Sequence, residues 1–257
     1  MAEPLFLEER RRAILDEIEQ KGRVTVKELS DVLRVSEVTI RQDLRALQDQ
    51  GLLDRTYGGA VARSSLKELS FTIRQMKMRR QKDSIAAAAA ALIRDGFSIA
   101  LDSSTTVCSL IPFLKRFEKL TVVTNSLVIA QSFLDGDDLG TRVLIVGGRL
   151  RRDAISVVGM PESVPNINLN LGFFSARGFT PNTGITEIDP DEVEVKRTMM
   201  ARCIEPIFLL DGSKWGQIAP YTIVPAADLR HIITSDDAPA DQVAYCRDLG
   251  IQVDVVG

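Results

Sequence analysis

The chain has 257 residues, 45% of them hydrophobic, with a formal net charge of −3 and a mean hydropathy of +0.03. That length holds one large domain or a small one plus a medium one, and the apolar share suits a soluble globular protein with a core. No apolar run approaches a membrane span, the alanine-rich Ile85–Ile93 being the longest candidate. The start, MAEPLFLEERRR, lacks the basic-apolar-small pattern of a secretory signal, which points to a cytoplasmic protein. Cys108, Cys203 and Cys246 are odd in number and widely spaced, and read as buried free thiols. A single histidine, His231, in the strand-like Leu229–Thr234, argues against His-based metal sites and a Ser/His/Asp triad. No metal, cofactor or catalytic residue is expected.

Three helical patterns open the chain. The first spans Leu7 to Gln20, with Ile14, Leu15 and Ile18 on one face, and stops at Lys21-Gly22. The second starts at Thr25, where Thr25 and Glu28 have the spacing of a capping box, and carries Leu29, Val32 and Leu33. After a tight turn at Arg34-Val35, Ser36 is placed to cap a third helix that ends near Gln50, before Gly51. Two short β segments follow, Leu52–Thr56 and Ala60–Arg63, with Tyr57-Gly58-Gly59 as the hairpin tip. Helix, strand, helix, turn, helix, hairpin is the order of a winged helix-turn-helix, predicted over 1–63.

Residues 64–82 read as a linker, and Arg63–Lys82 carries seven basic residues against one acidic. Helix Asp83–Arg94 opens the second domain, 83–257. Apolar runs at Phe97–Leu101, Leu120–Thr124, Arg142–Val146 and Ile204–Leu210 read as strands. Thr105–Lys115, Ser126–Leu134 and Asp191–Cys203 read as helices between some of them, and helix Ala240–Leu249 and strand Ile251–Val255 close the chain. The alternation predicts an α/β domain with a mostly parallel sheet covered by helices.

On the third helix Ile40, Leu44 and Leu47 form the core stripe. The opposite face holds Val38, Gln42 and Arg45, flanked by Thr39 and Arg41. It offers a methyl-bearing side chain for thymine, an amide for adenine, and guanidinium groups for guanine or phosphate. A solvated helix face is the plain alternative. The preceding capped helix and the following hairpin favour insertion into a major groove, with Ser36 and the tip residue Tyr57 added to the contact set. Asp43 points squarely to neither face and is expected to pair with a neighbouring arginine. Met1–Arg63 holds eleven Lys/Arg against twelve Asp/Glu, so DNA contact must come from local placement of charge.

In the second domain Asp102-Ser103-Ser104-Thr105-Thr106 follows a strand and opens a helix, which suits an anion or a plain helix cap. Thr124-Asn125, Gly147-Gly148-Arg149 and Asp211-Gly212-Ser213-Lys214 punctuate other strand ends. Each alone reads equally as an ordinary turn. Together, at the carboxyl edges of parallel strands, they favour one site for a small, anionic, hydroxylated ligand. Lys214 would meet phosphate, Asp102 would accept from hydroxyls, and Asn125 would do either.

Val35-Ser36-Glu37-Val38-Thr39-Ile40-Arg41-Gln42-Asp43-Leu44 closely resembles the helix-turn-helix signature of the DeoR family of bacterial regulators. The match extends through Gly51-Leu52-Leu53 and Tyr57-Gly58-Gly59-Ala60. The family often has a second basic residue where this chain has Gln42, a departure expected to alter which bases are preferred. The second domain's loops resemble the DeoR sensor domain, which shares its fold with sugar-phosphate isomerases such as ribose-5-phosphate isomerase. Gly184-Ile185-Thr186 and Val195-Lys196-Arg197 also fit. The family's Asp-Ser-Gly-Thr-Thr pattern has a glycine where Ser103 or Ser104 stands here. At Ser175-Ala176-Arg177-Gly178 relatives commonly show Gly-Ala and a smaller or acidic residue. Arg177 is therefore either a second anion contact or a filler of the pocket mouth.

Three function classes follow. The first is a transcription regulator, by family habit a repressor. It binds a double-stranded DNA operator as at least a dimer and responds to a small anionic metabolite, a sugar phosphate by resemblance. The second is a sugar-phosphate isomerase-like enzyme, for which Glu187, Asp189 and Glu194 would be the candidate bases. The third is a constitutive DNA-binding protein whose second domain only oligomerises. The first uses both halves of the chain.

Overall fold

A computed structural model describes residues 7–49, 53–61, 71–134 and 140–257. The chain divides into two compact units, Met1–Lys77 and Met78–Gly257.

The first unit runs α1 (Leu7–Lys21), β1 (Arg23–Thr25), α2 (Val26–Leu33), α3 (Glu37–Asp49), β2 (Asp54–Thr56), β3 (Gly59–Val61) and α4 (Phe71–Met76). Thr25 caps α2: its hydroxyl accepts from Glu28 N while the Glu28 carboxylate accepts from Thr25 N. The backbone and side-chain hydrogen bonds from Thr25 hold the Glu28 carboxyl below the usual glutamate range. Arg34 turns the chain in a left-handed conformation (φ 53°), and Thr39 N donates to Ser36 Oγ at the start of α3. Ile14 and Ile18 of α1, Leu29 and Leu33 of α2, and Ile40, Leu44 and Leu47 of α3 close into one apolar core with Leu53 and Ala60. Each large side chain buried there contributes about 1.5–3 kcal/mol. The strands form an antiparallel sheet in the order β1-β3-β2. At Gly59 an added Cβ would lie 2.1 Å from Val24 O, so this ladder closes only around a glycine. The expected helix stop at Gln50-Gly51, the strand start at Leu52, the strand end at Ala62-Arg63 and the linker stretch 64–70 lie outside the described residues.

The second unit opens with α5 (Arg79–Ala90), β4 (Ser98–Leu101), α6 (Thr105–Cys108), α7 (Ile111–Leu114), β5 (Thr121–Thr124), α8 (Leu127–Ser132) and β6 (Arg142–Ile145). It continues with β7 (Arg149–Arg151), β8 (Ser156–Val158), β9 (Leu169–Phe174), β10 (Gly178–Thr180), β11 (Gly184–Glu187) and α9 (Pro190–Met200). It ends with β12 (Cys203–Leu210), β13 (Tyr221–Val224), β14 (His231–Ser235), α10 (Ala240–Asp248) and β15 (Gln252–Val256). Seven strands form one sheet in the order β15-β14-β12-β9-β4-β5-β6, and every pairing in it is parallel. From β4 the chain winds outward through β5 and β6, then returns to the other side of β4 and winds outward through β9, β12, β14 and β15. The reversal between β4 and β9 is a topological switch point, where open parallel sheets leave a crevice at their carboxyl ends.

Several elements depart from the sequence expectation. The helix expected over Thr105–Lys115 is two short ones, because Pro112 has no N–H and crowds the preceding turn. Helix α5 starts at Arg79, four residues before the expected Asp83. The central strand β9 was not among the expected strands, nor were the β7–β8 hairpin and the antiparallel sheet β10-β11-β13. His231 is a structural strand residue: its Nδ1 lies 3.0 Å from Glu205 Oε1 and its Nε2 2.8 Å from Asp254 Oδ2, linking β12, β14 and β15. Among the described residues no helix is long and apolar enough to cross a membrane.

Candidate functional site

The residues singled out in the sequence fall on two surfaces, one on each unit. On α3, Ile40, Leu44 and Leu47 are buried, and Val38, Arg41, Gln42 and Arg45 are exposed. Val38 exposes 61% of its surface to water, a poor place for an apolar side chain unless a partner covers it. Ser36 Oγ and Thr39 Oγ1 are 2.8 Å apart at the first turn. Arg41 reaches back to Glu37 Oε2 at 2.7 Å, an exposed pair that a phosphate or a base edge can displace at small cost. Tyr57 stands fully exposed in the turn between β2 and β3.

Asp43 has the other role on this helix. It is 1% exposed, and its two carboxylate oxygens take Arg10 Nε at 2.6 Å and Arg11 Nε at 3.0 Å. The expected arginine partner is therefore real but comes from α1 rather than from α3. The clamp sets the orientation of α3 against α1, and with it the direction of the outward face.

On the second unit the carboxyl ends of β4 and β9 meet at the switch point. Ser175 N, just after β9, donates to Asp102 Oδ2 at 2.8 Å, and Ser104 N donates to Asp102 Oδ1 at 2.9 Å. Asp102 also faces Lys196, whose Nζ lies 3.1 Å from Asp102 Oδ2, 3.2 Å from Glu187 Oε2, 3.2 Å from Glu192 Oε1 and 3.0 Å from Ser175 O. Lys196 is fully buried. Burial by itself would lower its pKa, but Asp102, Glu192 and Glu187 outweigh that and raise it. Glu192 also pairs with the buried Arg151 and accepts from Ser103 Oγ at 3.2 Å. Both oxygens of Asp102 are thus engaged by the protein itself, where the sequence suggested a free acceptor for hydroxyls.

The remaining expected contacts lie along the same carboxyl edge. Ser104 caps α6, accepting from Val107 N, and Thr105 and Thr106 are buried in that turn. Thr124 Oγ1 donates to Leu101 O at 2.7 Å and accepts from Ser126 N. Asn125 Nδ2 donates to Val157 O at 3.2 Å, while Asn125 Oδ1 is buried with no hydrogen-bond partner among the described residues. Gly147 and Gly148 lead from β6 to β7, and Gly147 O accepts from Ser163 Oγ. Arg177 follows β9, held by a backbone bond from its N to Thr186 O. Lys214 lies in the short 3-10 turn after β12. Of the proposed catalytic bases, Glu187 is tied to Lys196, Asp189 caps α9, and Glu194 is exposed beside Arg197.

Sequence reasoning missed Lys196 as a site residue, together with Glu192, Arg151 and Ser156. Ser156 Oγ on β8 is buried without a partner among the described residues, beside the Asn125 turn, since Ser126 and Ser156 bridge. A signal for Lys196 was present: on α9 it shares a stripe with Val193 and Met199, and a lysine on an apolar stripe, four residues after a glutamate, marks a buried ion pair.

Residues 77–236 match the family described as the DeoR C-terminal sensor domain, and residues 10–66 match the DeoR-like helix-turn-helix domain. The chain is 33% identical over 254 residues to the HTH-type transcriptional regulator GolR of Listeria innocua, covering 98% of this chain and 99% of that one. It is 32% identical over 250 residues to the HTH-type regulator YgbI of Escherichia coli K12, covering 95% and 97%. It is 31% identical over 254 residues to a putative aga operon transcriptional repressor of Escherichia coli O157:H7, covering 97% and 94%. Ribose 5-phosphate isomerase from Plasmodium falciparum is similar over 54% of this chain and 53% of that one, at 12% identity and a TM-score of 0.39. With both units matched and full-length relatives at this identity, the chain belongs to the DeoR family of HTH-type transcriptional regulators.

Proposed function

We propose that the protein is a repressor that holds its operator through α3 and releases it when a sugar phosphate binds at the carboxyl edge of the seven-stranded sheet. The observation that carries the reading of α3 is its sorted surface, with Ile40, Leu44 and Leu47 inward and Val38, Gln42 and Arg45 outward. The recognition helix of a helix-turn-helix presents such a face to base edges. Two reading heads on one operator require at least a dimer.

The effector reading rests on the switch point and on the groups there with unused bonding capacity. Asn125 Oδ1 and Ser156 Oγ are buried acceptors without partners among the described residues, and such atoms are costly unless something donates to them. A hydroxylated ligand supplies that donor. Arg177 and Lys214 lie after β9 and β12 on the same edge and would meet the phosphate. Lys196, Asp102 and Glu192 form the rigid floor rather than the contact surface, and the protein performs no turnover.

Operator release titrated against a panel of pentose and hexose phosphates tests this. The effector shifts the DNA equilibrium only through its different affinity for the two states. Lys214→Ala or Arg177→Ala removes a charge-assisted bond, about 1.5–3 kcal/mol, and moves the release curve about tenfold or more to higher ligand concentration. Operator binding without ligand stays at the parent level. A parent protein indifferent to every sugar phosphate, yet tight on DNA, would leave the second domain as an oligomerisation module only. Turnover of any of the phosphates would make it an enzyme.

A further inference from the structure

A cavity lies between the turn joining β10 to β11, the loop after β12, and α10. Its volume is about 320 Å³, and its walls include Thr180 and Asn182 of the turn, Gly216 of the loop, and Asp241, Gln242 and Tyr245 of α10. That volume falls at the small end of the range for small-molecule pockets. The wall is stiffened from behind: Gly216 N donates to Phe179 O at 2.9 Å, and the Phe179 ring packs edge-on against Trp215 with centroids 4.8 Å apart.

The lining selects a chemistry. Gln242 lines the cavity, and its side-chain amide adds hydrogen-bonding capacity to the wall. The Asp241 carboxylate on α10 adds an acceptor, and the Asn182 amide on the β10–β11 turn adds a mixed donor-acceptor group. Tyr245 is half-exposed and offers an aromatic face to an apolar surface. None of the lining residues carries a basic side chain to pair with a phosphate. A cation would find Asp241 but would also face the partial positive charge at the start of α10. A neutral ring that carries adjacent hydroxyls on its edge and C–H groups on its face satisfies every one of these terms. We propose that this cavity is a second binding site, for an unphosphorylated pyranose stacked on Tyr245 with its hydroxyls on Gln242, Asp241 and Asn182.

Trp215 is the sole tryptophan of the chain and adjoins Gly216 in the cavity wall, so it reports on the site. Full-length protein is titrated with glucose, galactose, mannose and xylose, and separately with glucose 6-phosphate and glucosamine, by Trp fluorescence and calorimetry. The expected result is saturable binding of at least one neutral pyranose, tighter than glucose 6-phosphate and at least as tight as glucosamine. Tyr245→Ala and Gln242→Leu each weaken it about tenfold, while Tyr245→Phe retains it. Tyr245 is half-exposed, so its truncation leaves the fold intact, which circular dichroism checks. Because Arg177→Ala acts at the other site, it leaves pyranose binding unchanged, and the two readings stand or fall separately. Absence of saturable binding by all four sugars, binding of glucosamine alone, or affinity unchanged in both Tyr245→Ala and Gln242→Leu overturns the assignment.

Discussion

Lys196 Nζ stands 3.1 Å from Asp102 Oδ2 at the point where the sheet reverses its winding, and the pair is enclosed by Glu187 and Glu192. One buried cation therefore serves three carboxylates, with Arg151 balancing Glu192 from the far side. The network ties α9 to the ends of β4 and β9, so the edge proposed to hold the effector is braced before any ligand arrives.

Removing that cation should be costly. Lys196→Ala leaves Asp102, Glu187 and Glu192 buried together without their shared partner, and breaking such a pair costs about 3–5 kcal/mol. Urea unfolding of the full chain should show the loss in the transition of the second unit. A loss below about 1 kcal/mol would mean that water enters and the cluster is not closed. The pKa of Lys196 is raised in the fold, so its stabilisation is fully present below the ordinary lysine range. It fades only as pH rises above that range, and stability from this group should be flat across neutral pH.

Asp43→Ala should destabilise the first unit through α1 rather than through DNA contact. Its partners Arg10 and Arg11 are partly exposed, so the cost is discounted to about 1–3 kcal/mol. Thermal melting of the unit and operator affinity should fall together. A normal melting temperature with lost operator affinity would instead place Asp43 at the DNA.

Arg45→Ala should weaken operator binding by about 1–3 kcal/mol if the guanidinium reads a base. Gln42→Ala should change sequence preference more than non-specific affinity, because a neutral amide adds little to phosphate attraction. Selection from a random DNA pool separates the two effects. Identical preferred sites for parent and Gln42→Ala would remove Gln42 from the reading set.

Two thiols of the second unit, Cys203 and Cys246, should be slow to react. Burial pushes Cys203 up to about 12 and Cys246 up to about 11, so little thiolate forms at about pH 8. Iodoacetamide should label the native chain slowly and the urea-unfolded chain quickly. The raised values also make the two thiols lower stability as pH climbs from the ordinary thiol range towards 11 and 12, because the unfolded chain releases those protons first. Equal labelling rates in native and unfolded protein would refute their burial.

What the sequence determined by itself was local. The capping box of Thr25 and Glu28, the turn at Arg34, the Ser36 bond at the start of α3 and the inward stripe of Ile40, Leu44 and Leu47 are all set by residues within a few positions of one another. The sorted surface of α3 and the family were therefore legible without a fold. The tertiary structure decided what depends on distant segments. Strand β9 was missed because Gly172 interrupts its apolar run. That glycine is needed because Cys203 Sγ, on a neighbouring strand, lies 2.4 Å from where a Cβ would stand. The partners of Asp43 come from more than thirty residues earlier. Lys196 reaches Asp102 only because β9 inserts beside β4. Short-range periodicity and capping are written in consecutive residues, whereas charge burial and strand order arise from which segments pack together, and a single chain of letters does not carry that information locally.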